Sequence, residues 1–508
     1  MWLPRLSRNR VLVAVSIVPI LYWRKQLQEL FEPYSRFALS ALVCGHIALD
    51  YKLNLLNYDH SDFYRIRSII HQRSADDLLW LCQRHGGIMI KAGQHVASLN
   101  HILPREFTDT MSILQDQAPA RPYSDVEQIF DEDLGQLPSE YFSEFDKVPI
   151  ASASLAQVHR AVTKDGTEVA VKVQYPRLHA LFRGDLRTLA TLTRWLFRIF
   201  PDYDLQWLVK DMKANLLKEL DFEQEGRRAE RSARNFRNKP SLHIPFIYWD
   251  LTTPRILTME FVRGCKINDA ETIQAMGFDT KQVAQSFTEL FAEMIYCFGY
   301  VHCDPHPGNV FVRAHPTQQG KHQLVLLDHG LYRELDEEFR STYALLWKAL
   351  VSHDTRQIHK LCGKLGISSE HVKYIPIILT QQQLGSRMKL GAKWTEERRS
   401  SVLGELRDTP LKIYSDFFSS LPKDLLLVLR THDLLRSINR DLGGTGAARL
   451  QTMFHYAIRG TYRTPKEHET AERHFSIWQR FHMFFYFLIL RIQIWVVESL
   501  PLQWFIKE

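Results

Sequence analysis

Apolar positions in the first sixty residues fall in two runs, Val11 to Trp23, closed by Arg24-Lys25, and Phe37 to Leu49. Each is shorter than the roughly 20 residues a membrane-crossing helix needs. From 61 to 145 the pattern is helical. Leu78, Leu79, Leu81 and Cys82 begin a stripe that continues through Ile88, Met89 and Ile90, and a second helix runs from Leu103-Pro104-Arg105 through Leu114 to a stop at Gln117-Ala118-Pro119. From 146 to 177 strands are expected. Glu168 to Val173 puts Val169, Val171 and Val173 on one face and Ala170 and Lys172 on the other. It follows a hairpin turn at Lys164-Asp165-Gly166.

Beyond that strand, Lys218 to Glu225 is an acidic cluster that runs into a basic face (Arg227, Arg228, Arg231, Arg234). On one helix Glu219 and Glu223, or Asp221 and Glu225, share a face four residues apart. Arg255 to Val262 reads as a strand ending in a connector, and Thr288 to Phe298 as a helix. Two short strands follow, Asn309 to Val312 and Gln323 to Leu327, each touching a polar block. Leu331 to His353 passes almost at once into a helical pattern, and 354–460 is helical with a break at Gly443-Gly444-Thr445-Gly446. The tail from Phe481 to Val497 is nearly all apolar and aromatic, with Trp495 inside it and Trp504 beyond, but Arg491 interrupts it. A mid-span charge costs about 2.5–3.5 kcal/mol on insertion scales, so an interfacial or protein-buried helix is expected there rather than a span.

Composition narrows the class. At 508 residues, with 45% hydrophobic and 24% charged residues, the chain is globular and long enough for two or three domains. The net charge of +7 is modest, and bases are mixed with acids along most of the chain, which argues against a nucleic-acid binder. Six cysteines without CxxC spacing argue against a disulfide framework and for reduced thiols. Residues 1–28 hold no acid, and Arg5, Arg8 and Arg10 precede the first apolar run. That start fits an organelle transit peptide, a secretory signal or a buried N-terminal helix. Reduced-looking cysteines, and no small-residue cleavage site near Trp23, favour mitochondrial targeting or anchoring.

The chemistry centres on His302-Cys303-Asp304-Pro305-His306-Pro307-Gly308-Asn309, followed by Leu327-Asp328-His329-Gly330. In kinase-like enzymes one Asp accepts the substrate proton, an Asn five residues on holds metal, and the Asp of Asp-x-Gly bridges metal and phosphates. Asp304, Asn309 and Asp328 fit those three roles in that order. His302, Cys303 and His306 also hint at zinc, but they lack a second ligand group at zinc spacing.

The upstream strands fit as well. Ala151-Ser152-Ala153-Ser154-Leu155 occupies the place of a kinase phosphate loop, although it holds no glycine. Small residues there still allow close backbone approach to a phosphate. Val169-Ala170-Val171-Lys172 is close to the Val-Ala-Ile-Lys whose lysine pairs with phosphates and a helix glutamate. Glu260 and Val262 lie where a hinge offers backbone groups to adenine. No Ala-Pro-Glu and no room for an activation loop follow Gly330, which points away from peptide substrates.

Taken with Lys91-Ala92-Gly93-Gln94, the alanine-rich loop, Lys172, Glu219-x-Asp221 and the two polar blocks, the chain over about 60–460 resembles the UbiB/ABC1/aarF-domain atypical kinases. Leu155-Ala156-Gln157 and Asp-His-Gly are similar to its first aarF-domain-containing kinase subgroup, which is mitochondrial. The resemblance implies an α+β, protein-kinase-like bilobal fold with a helical N-terminal KxGQ extension and a largely helical C-lobe. The domains it implies are a targeting or membrane-associated segment (1–60), the extension (61–145), an N-lobe (146–263), a C-lobe (264–460) and the apolar tail (461–508). It further implies that Lys91 and Gln94 plug the site near Glu219 and Asp221, with Gly93 between them, and that Lys172 pairs with Glu225. The implied ligands are ATP or ADP with Mg2+, and the implied setting is lipid or ubiquinone metabolism at the mitochondrial inner membrane. Two other readings stand beside it. One is a nucleotide-gated pseudokinase scaffold or lipid-binding module; the other is a phosphotransferase of the antibiotic-kinase type, which leaves Lys91–Gln94 without a role.

Overall fold

A computed structural model describes residues 8–55, 63–97, 103–116, 120–201, 206–380 and 421–462, and in the tail Trp478, Gln479, Phe485 and Leu488. Helices α1 (Arg8–Leu55), α2 (Phe63–His85), α3 (Gly87–Ala97), α4 (Arg105–Asp116), α5 (Tyr123–Leu134) and α6 (Pro138–Tyr141) open the chain. Strands β1 (Phe142–Phe145), β2 (Ala151–Ser152), β3 (Ala156–Thr163) and β4 (Glu168–Gln174) follow, then α7 (Leu178–Ile199), α8 (Gln206–Glu219) and α9 (Phe222–Asn235). Next come β5 (Leu242–His243), β6 (Ile256–Glu260), β7 (Cys265–Lys266), α10 (Ala270–Ala275) and α11 (Thr280–Ala292), which continues as a π-helical turn over Glu293–Phe298. The remainder is β8 (Tyr300–His302), β9 (Val310–Ala314), β10 (His322–Leu326), β11 (Tyr332–Glu334), α12 (Glu337–Val351), α13 (Thr355–Lys364), α14 (Tyr374–Thr380), α15 (Lys423–Asp441) and α16 (Gly446–Thr461).

The chain divides into two compact units, one of residues 1–135, 147–158 and 173–217, the other of 136–146, 159–172 and 218–508. In the first, α1 to α4 and α7 pack on one another. The stripe from Leu78 to Ile90 belongs to two helices, because Gly86 and Gly87 take positive φ (68° and 52°) and turn the chain between α2 and α3. Arg36 of α1 ties this unit together. Its guanidinium donates to both carboxylate oxygens of Asp185 on α7 (2.8 and 2.5 Å) and to the His85 carbonyl (2.8 Å) at the end of α2. Both side chains are nearly buried, and the two-pronged geometry satisfies the charges that burial would otherwise penalise.

The second unit holds a sheet in the order β1-β3-β4-β6 and another in the order β5-β10-β9-β7, with β8 and β11 paired apart from them. Val169 and Val171 are fully buried, so the alternation expected of β4 holds and leaves Lys172 on the opposite face. The main core lies under these strands. α11 buries Val283, Ala284, Phe287, Leu290 and Phe291, a helical i, i+3/i+4, i+7 stripe, against Trp347 of α12, Leu435 of α15 and Met453 of α16. Backbone meets backbone where α16 crosses the π-turn: a Cβ at Gly460 would lie 2.3 Å from the Tyr296 carbonyl oxygen. Arg340, 1% exposed, donates to the carbonyls of Tyr296 and Gly460 (3.0 Å for the latter) and pairs with Glu337.

Two readings of the sequence are corrected. The acidic run is not one helix: α8 ends at Glu219, and Asp221 caps α9 by accepting from the Gln224 N–H (3.2 Å). Neither acid pair therefore stacks on a shared face. The cap wins because an Asp oxygen satisfies an N–H that a helix start leaves without a partner. After Gly330 the helix does not begin at once, since β11 pairs with β8 before α12.

Among the described residues no helix is long and apolar enough to cross a membrane. The run Val11–Trp23 lies on the backbone of α1. Most of the apolar tail, Trp495 and Trp504 included, lies outside the described residues, as does 381–420 of the stretch expected from sequence to be helical.

Candidate functional site

Within the second unit, β4 presents Lys172 to α9. Lys172 Nζ lies 2.7 and 2.9 Å from the two carboxylate oxygens of Glu225 and 3.6 Å from Asp328 Oδ2. Burial works to lower the Lys172 pKa, but the carboxylates of Asp328 and Glu225 outweigh it and leave the pKa raised, so the ammonium is firmly charged. Glu225, 2% exposed, is pushed the other way: burial raises its pKa, and Lys172 offsets this only in part because Asp328 opposes it. The two shifts agree physically. One lysine stands among more carboxylate charge than it neutralises, with Glu219 adding to the field.

The two polar blocks meet through His302. Its Nε2 donates to the Asp328 carbonyl (2.5 Å), and its Nδ1 accepts the Asp304 N–H (3.2 Å). Asn309 Nδ2 donates to the Asp304 carbonyl (3.1 Å) and reaches Asp304 Oδ2 at 3.4 Å. That turns the Asn309 amide oxygen away from Asp304. Register between β9 and β10 pairs Val310 with Leu326, and the Leu327 N–H binds the Asn309 carbonyl (2.9 Å). The strand pair thus carries Asn309 and Asp328 to one end.

Asp328 Oδ1 accepts the Gly330 N–H (2.7 Å), and a Cβ at Gly330 would lie 3.0 Å from that oxygen. Glycine serves close approach here rather than a positive φ. His329 is 2% exposed; its Nε2 donates to the Leu326 carbonyl (3.1 Å), and its Nδ1 accepts from Tyr332 Oη (2.9 Å). Burial pushes its pKa down to about 3. The ring stacks on Tyr332, which stacks on Tyr300. A neutral, doubly bonded histidine fills the position where the kinase triplet carries phenylalanine.

The roles of Arg228, Arg430 and His302 escaped sequence reasoning. Arg228, one turn beyond Glu225 on α9, donates to the Gly330 carbonyl (2.8 Å) and holds the turn from the far side. Arg430 of α15 places Nη2 3.8 Å from Asp304 Oδ1. His302 acts as a bridge rather than a zinc ligand, and Cys303 is buried with its thiol pushed up to about 12, chiefly by that burial. Among the described residues no three His, Cys, Asp or Glu converge on a metal position. Mg2+ needs no such cage, because it keeps waters and takes one or two protein oxygens plus phosphate. The Asn309 amide oxygen, the Asp328 carboxylate and the surplus negative charge suit that ion.

Glu260 lies half-buried at the end of β6; it accepts from His243 Nε2 (2.8 Å), and its N–H donates to the Phe246 carbonyl (2.8 Å). Val262 is two residues on. Glu219 ends α8, and Asp221 is committed to its cap.

In the first unit, Ala151-Ser152-Ala153-Ser154-Leu155 opens with β2, which pairs with the start of β3. The Ala153 N–H donates to the Ala156 carbonyl (2.7 Å), and Tyr175 binds the carbonyls of Ala153 and Leu155. No residue of 151–158 has a positive φ, so this loop conformation does without glycine. On α3, Lys91 is half-buried, and Gln94 Nε2 donates to the Leu114 carbonyl of α4 (2.9 Å). A Cβ at Gly93 would fall 2.3 Å from Leu114 Cδ1 and 3.3 Å from Cys82 Sγ and Met111 Sδ. Gly93→Ala is expected to destabilise this unit by about 1–3 kcal/mol through overpacking, read as a lower thermal midpoint.

Residues 113–362 match the ABC1 atypical kinase-like domain. The AarF domain-containing protein kinase 1 of Xenopus laevis is 38% identical over 450 residues, covering 88% of this chain and 86% of its own. The chain belongs to the ABC1 family. This ABC1 protein is also 44% identical over 426 residues to a Dictyostelium discoideum relative named probable serine/threonine-protein kinase abkD, and it spans 61% of that protein's length. Among solved structures it is similar to Rv3197 of Mycobacterium tuberculosis in complex with erythromycin, with a TM-score of 0.47 at 22% identity, over 75% of this chain and 95% of that one. Membership gives the ABC1 chain a mixed α+β kinase-like fold, with a helical N-terminal region and a helical C-terminal part among the described residues, and implies a nucleotide ligand.

Proposed function

We propose that this protein is an ATP-binding, Mg2+-dependent atypical kinase or ATPase that acts in mitochondrial lipid homeostasis at the inner membrane. The observation that carries the catalytic half is the Lys172–Glu225 pair, 2.7 Å apart and directed at Asp328. In this reading Lys172 binds the α/β-phosphates, and the resemblance gives the Ala151–Leu155 loop the part of a phosphate loop. The backbone at Glu260 and Val262 receives adenine. Asn309 and Asp328 would hold Mg2+, which when bound would supply charge neutralisation at the phosphates. Asp304 accepts the proton of an attacking hydroxyl or water, work that needs positioning and charge more than covalent chemistry.

Only Leu331 to Asp336 separates the Asp-His-Gly turn from α12, which leaves no peptide-docking segment of the protein-kinase kind. That favours a small or lipid acceptor, or water. The mitochondrial and lipid half rests on the family resemblance and on the acid-free, Arg-bearing start. The same resemblance gives Lys91, Gly93 and Gln94, with Glu219 and Asp221, the task of covering the site. The glycine-free loop favours a second reading, a pseudokinase that binds nucleotide without turnover.

Thermal unfolding with and without Mg2+-ATP tests the reading. Ligand at about 100 times its dissociation constant adds roughly 2.7 kcal/mol. A metal-dependent rise is expected in the wild type and not in Asp328→Asn. No rise in the wild type, nor in Lys91→Ala, would exclude the nucleotide site.

A further inference from the structure

Asp304 is held from two sides. Asn309 Nδ2 reaches its Oδ2 at 3.4 Å, and Arg430 of α15 places Nη2 3.8 Å from its Oδ1. The first contact comes from the Asp304–Asn309 block itself. The second comes from a helix beyond residue 362, where the ABC1 match ends.

Arg430 sits on a fixed frame. Leu429, Thr431 and His432 beside it are buried, and Thr431 Oγ1 donates back to the Leu427 carbonyl (3.0 Å). The Arg430 side chain is 28% exposed, and its Nε is buried without a hydrogen-bond partner. Among the described residues Asp304 is its one acidic partner, and 3.8 Å is beyond hydrogen-bond distance. Two other arginines on or against α15 are matched at closer range: Arg333 by Asp424 at 2.6 Å, and Arg436 by Asp433 at 3.2 Å.

So a fork of five donors stands loosely against one carboxylate that is itself 40% exposed. Such a pair adds little stability, and an unbonded Nε in a buried position takes some away. A ligand with negative charge and several acceptor oxygens would use what the protein leaves unused. Position decides which ligand. Between Asp304 and Asn309 the chain carries no lysine or arginine, and His306 turns Nδ1 to the Gly308 N–H (3.2 Å). Lys172 is committed to Glu225 and faces Asp328. Arg430 therefore supplies the positive charge on the Asp304 side of the site.

On the reading of this site as one for Mg2+-ATP, we propose that Arg430 is a further catalytic residue, which grips the transferred γ-phosphoryl group. In the transfer, the oxygen of water or of an acceptor hydroxyl bonds the γ-phosphorus. The bond to the bridging oxygen breaks with its electron pair leaving on ADP, and the acceptor's proton passes to Asp304. Arg430 meets the charge on the oxygens of the group in transit, which a planar fork can take two at a time. An arginine supplied in this way is worth about 10³–10⁵ in kcat to GTP-hydrolysing enzymes.

The test uses the full chain as wild type, Arg430→Met and Arg430→Lys. Thermal midpoints are read with Mg2+-ADP, and with Mg2+-ADP plus aluminium fluoride, which mimics the phosphoryl group in transit. Steady-state phosphate release is followed beside them. In the wild type, aluminium fluoride should add a further rise to that of Mg2+-ADP alone. Arg430→Met should keep the Mg2+-ADP rise, lose the further one, and release phosphate about 10³-fold more slowly with KM little changed. Guanidinium chloride at a non-denaturing concentration should restore part of that rate, which a purely structural arginine would not allow. Arg430→Lys, with charge and stem kept, should fall between, and it carries the test if the methionine variant does not fold. A further rise of wild-type size in both variants, or release within about tenfold of wild type, would overturn the proposal. So would a wild type that takes Mg2+-ADP and gains nothing from aluminium fluoride. No Mg2+-ADP rise in the wild type is a separate failure: it removes the nucleotide site, and this role of Arg430 with it.

Discussion

Replacing Asp304 by asparagine is expected to reduce phosphate release by about 10²–10⁴-fold, the usual contribution of a positioned proton acceptor. Asparagine keeps the size of the side chain and its contact with the Asn309 amide, so the thermal midpoint and the response to Mg2+-ATP should stay close to wild type. Its 40% exposure means that no buried charge is stranded by the change. The pair of readouts separates chemistry from folding. Undiminished release in a well-folded Asp304→Asn protein would remove the proposed base. Wild-type protein that binds nucleotide and releases no phosphate would favour the scaffold reading.

Lys172→Met should have the largest effect on binding and on stability together. It removes the cation between Glu225 and Asp328, so the midpoint shift with Mg2+-ATP should vanish. Breaking a buried pair costs about 3–5 kcal/mol when the remaining charge stays buried, and Glu225 decides how much of that is felt. Its folded pKa already lies above the ordinary carboxylate value through burial, and loss of Lys172 raises it further. A carboxyl raised in the folded state contributes stability at acid pH and loses it as pH climbs from the unfolded pKa towards the folded one. The deficit of Lys172→Met should therefore be small near the ordinary carboxylate pKa and grow as pH climbs above it towards the raised folded value. Denaturant midpoints across that range read it directly. Lys172→Met with Glu225→Gln should recover most of the stability and remain blind to nucleotide; a double variant no more stable than the single one would show that Glu225 is not the stranded charge.

Much of the site was legible because its residues sit in short blocks whose spacing follows backbone geometry. Five residues separate Asp304 from Asn309 with a turn between them, and a period of two turns Lys172 away from Val169 and Val171. The turn residues did not become legible in the same way. Asp221 was read as one acid in a helical run, whereas its capping bond to Gln224 starts a new helix. The signal was an Asp placed just before a helix start, hidden by the acids on either side. Arg228 appeared only as part of a solvated basic face, and Arg430 lies more than a hundred residues from Asp304. Their roles depend on where α9 and α15 pack, which local pattern does not encode.

The contact between Gly460 and the π-turn also bears on where a self-sufficient catalytic fragment can end. The ABC1 match stops at residue 362, yet α16 covers the turn just ahead of β8 and the His302–Asp304 block. A polypeptide trimmed at that boundary would strip the lid from α11 and α12 and uncover Phe287, Phe291 and Trp347. Arg340 would lose one of the two carbonyls it binds. Such a trimmed chain would be expected to aggregate or to be cleared as misfolded, whatever the quality of its nucleotide pocket. The smallest useful expression product from this region runs through Thr461, and loss of activity in shorter ones would report on solubility before it reported on chemistry.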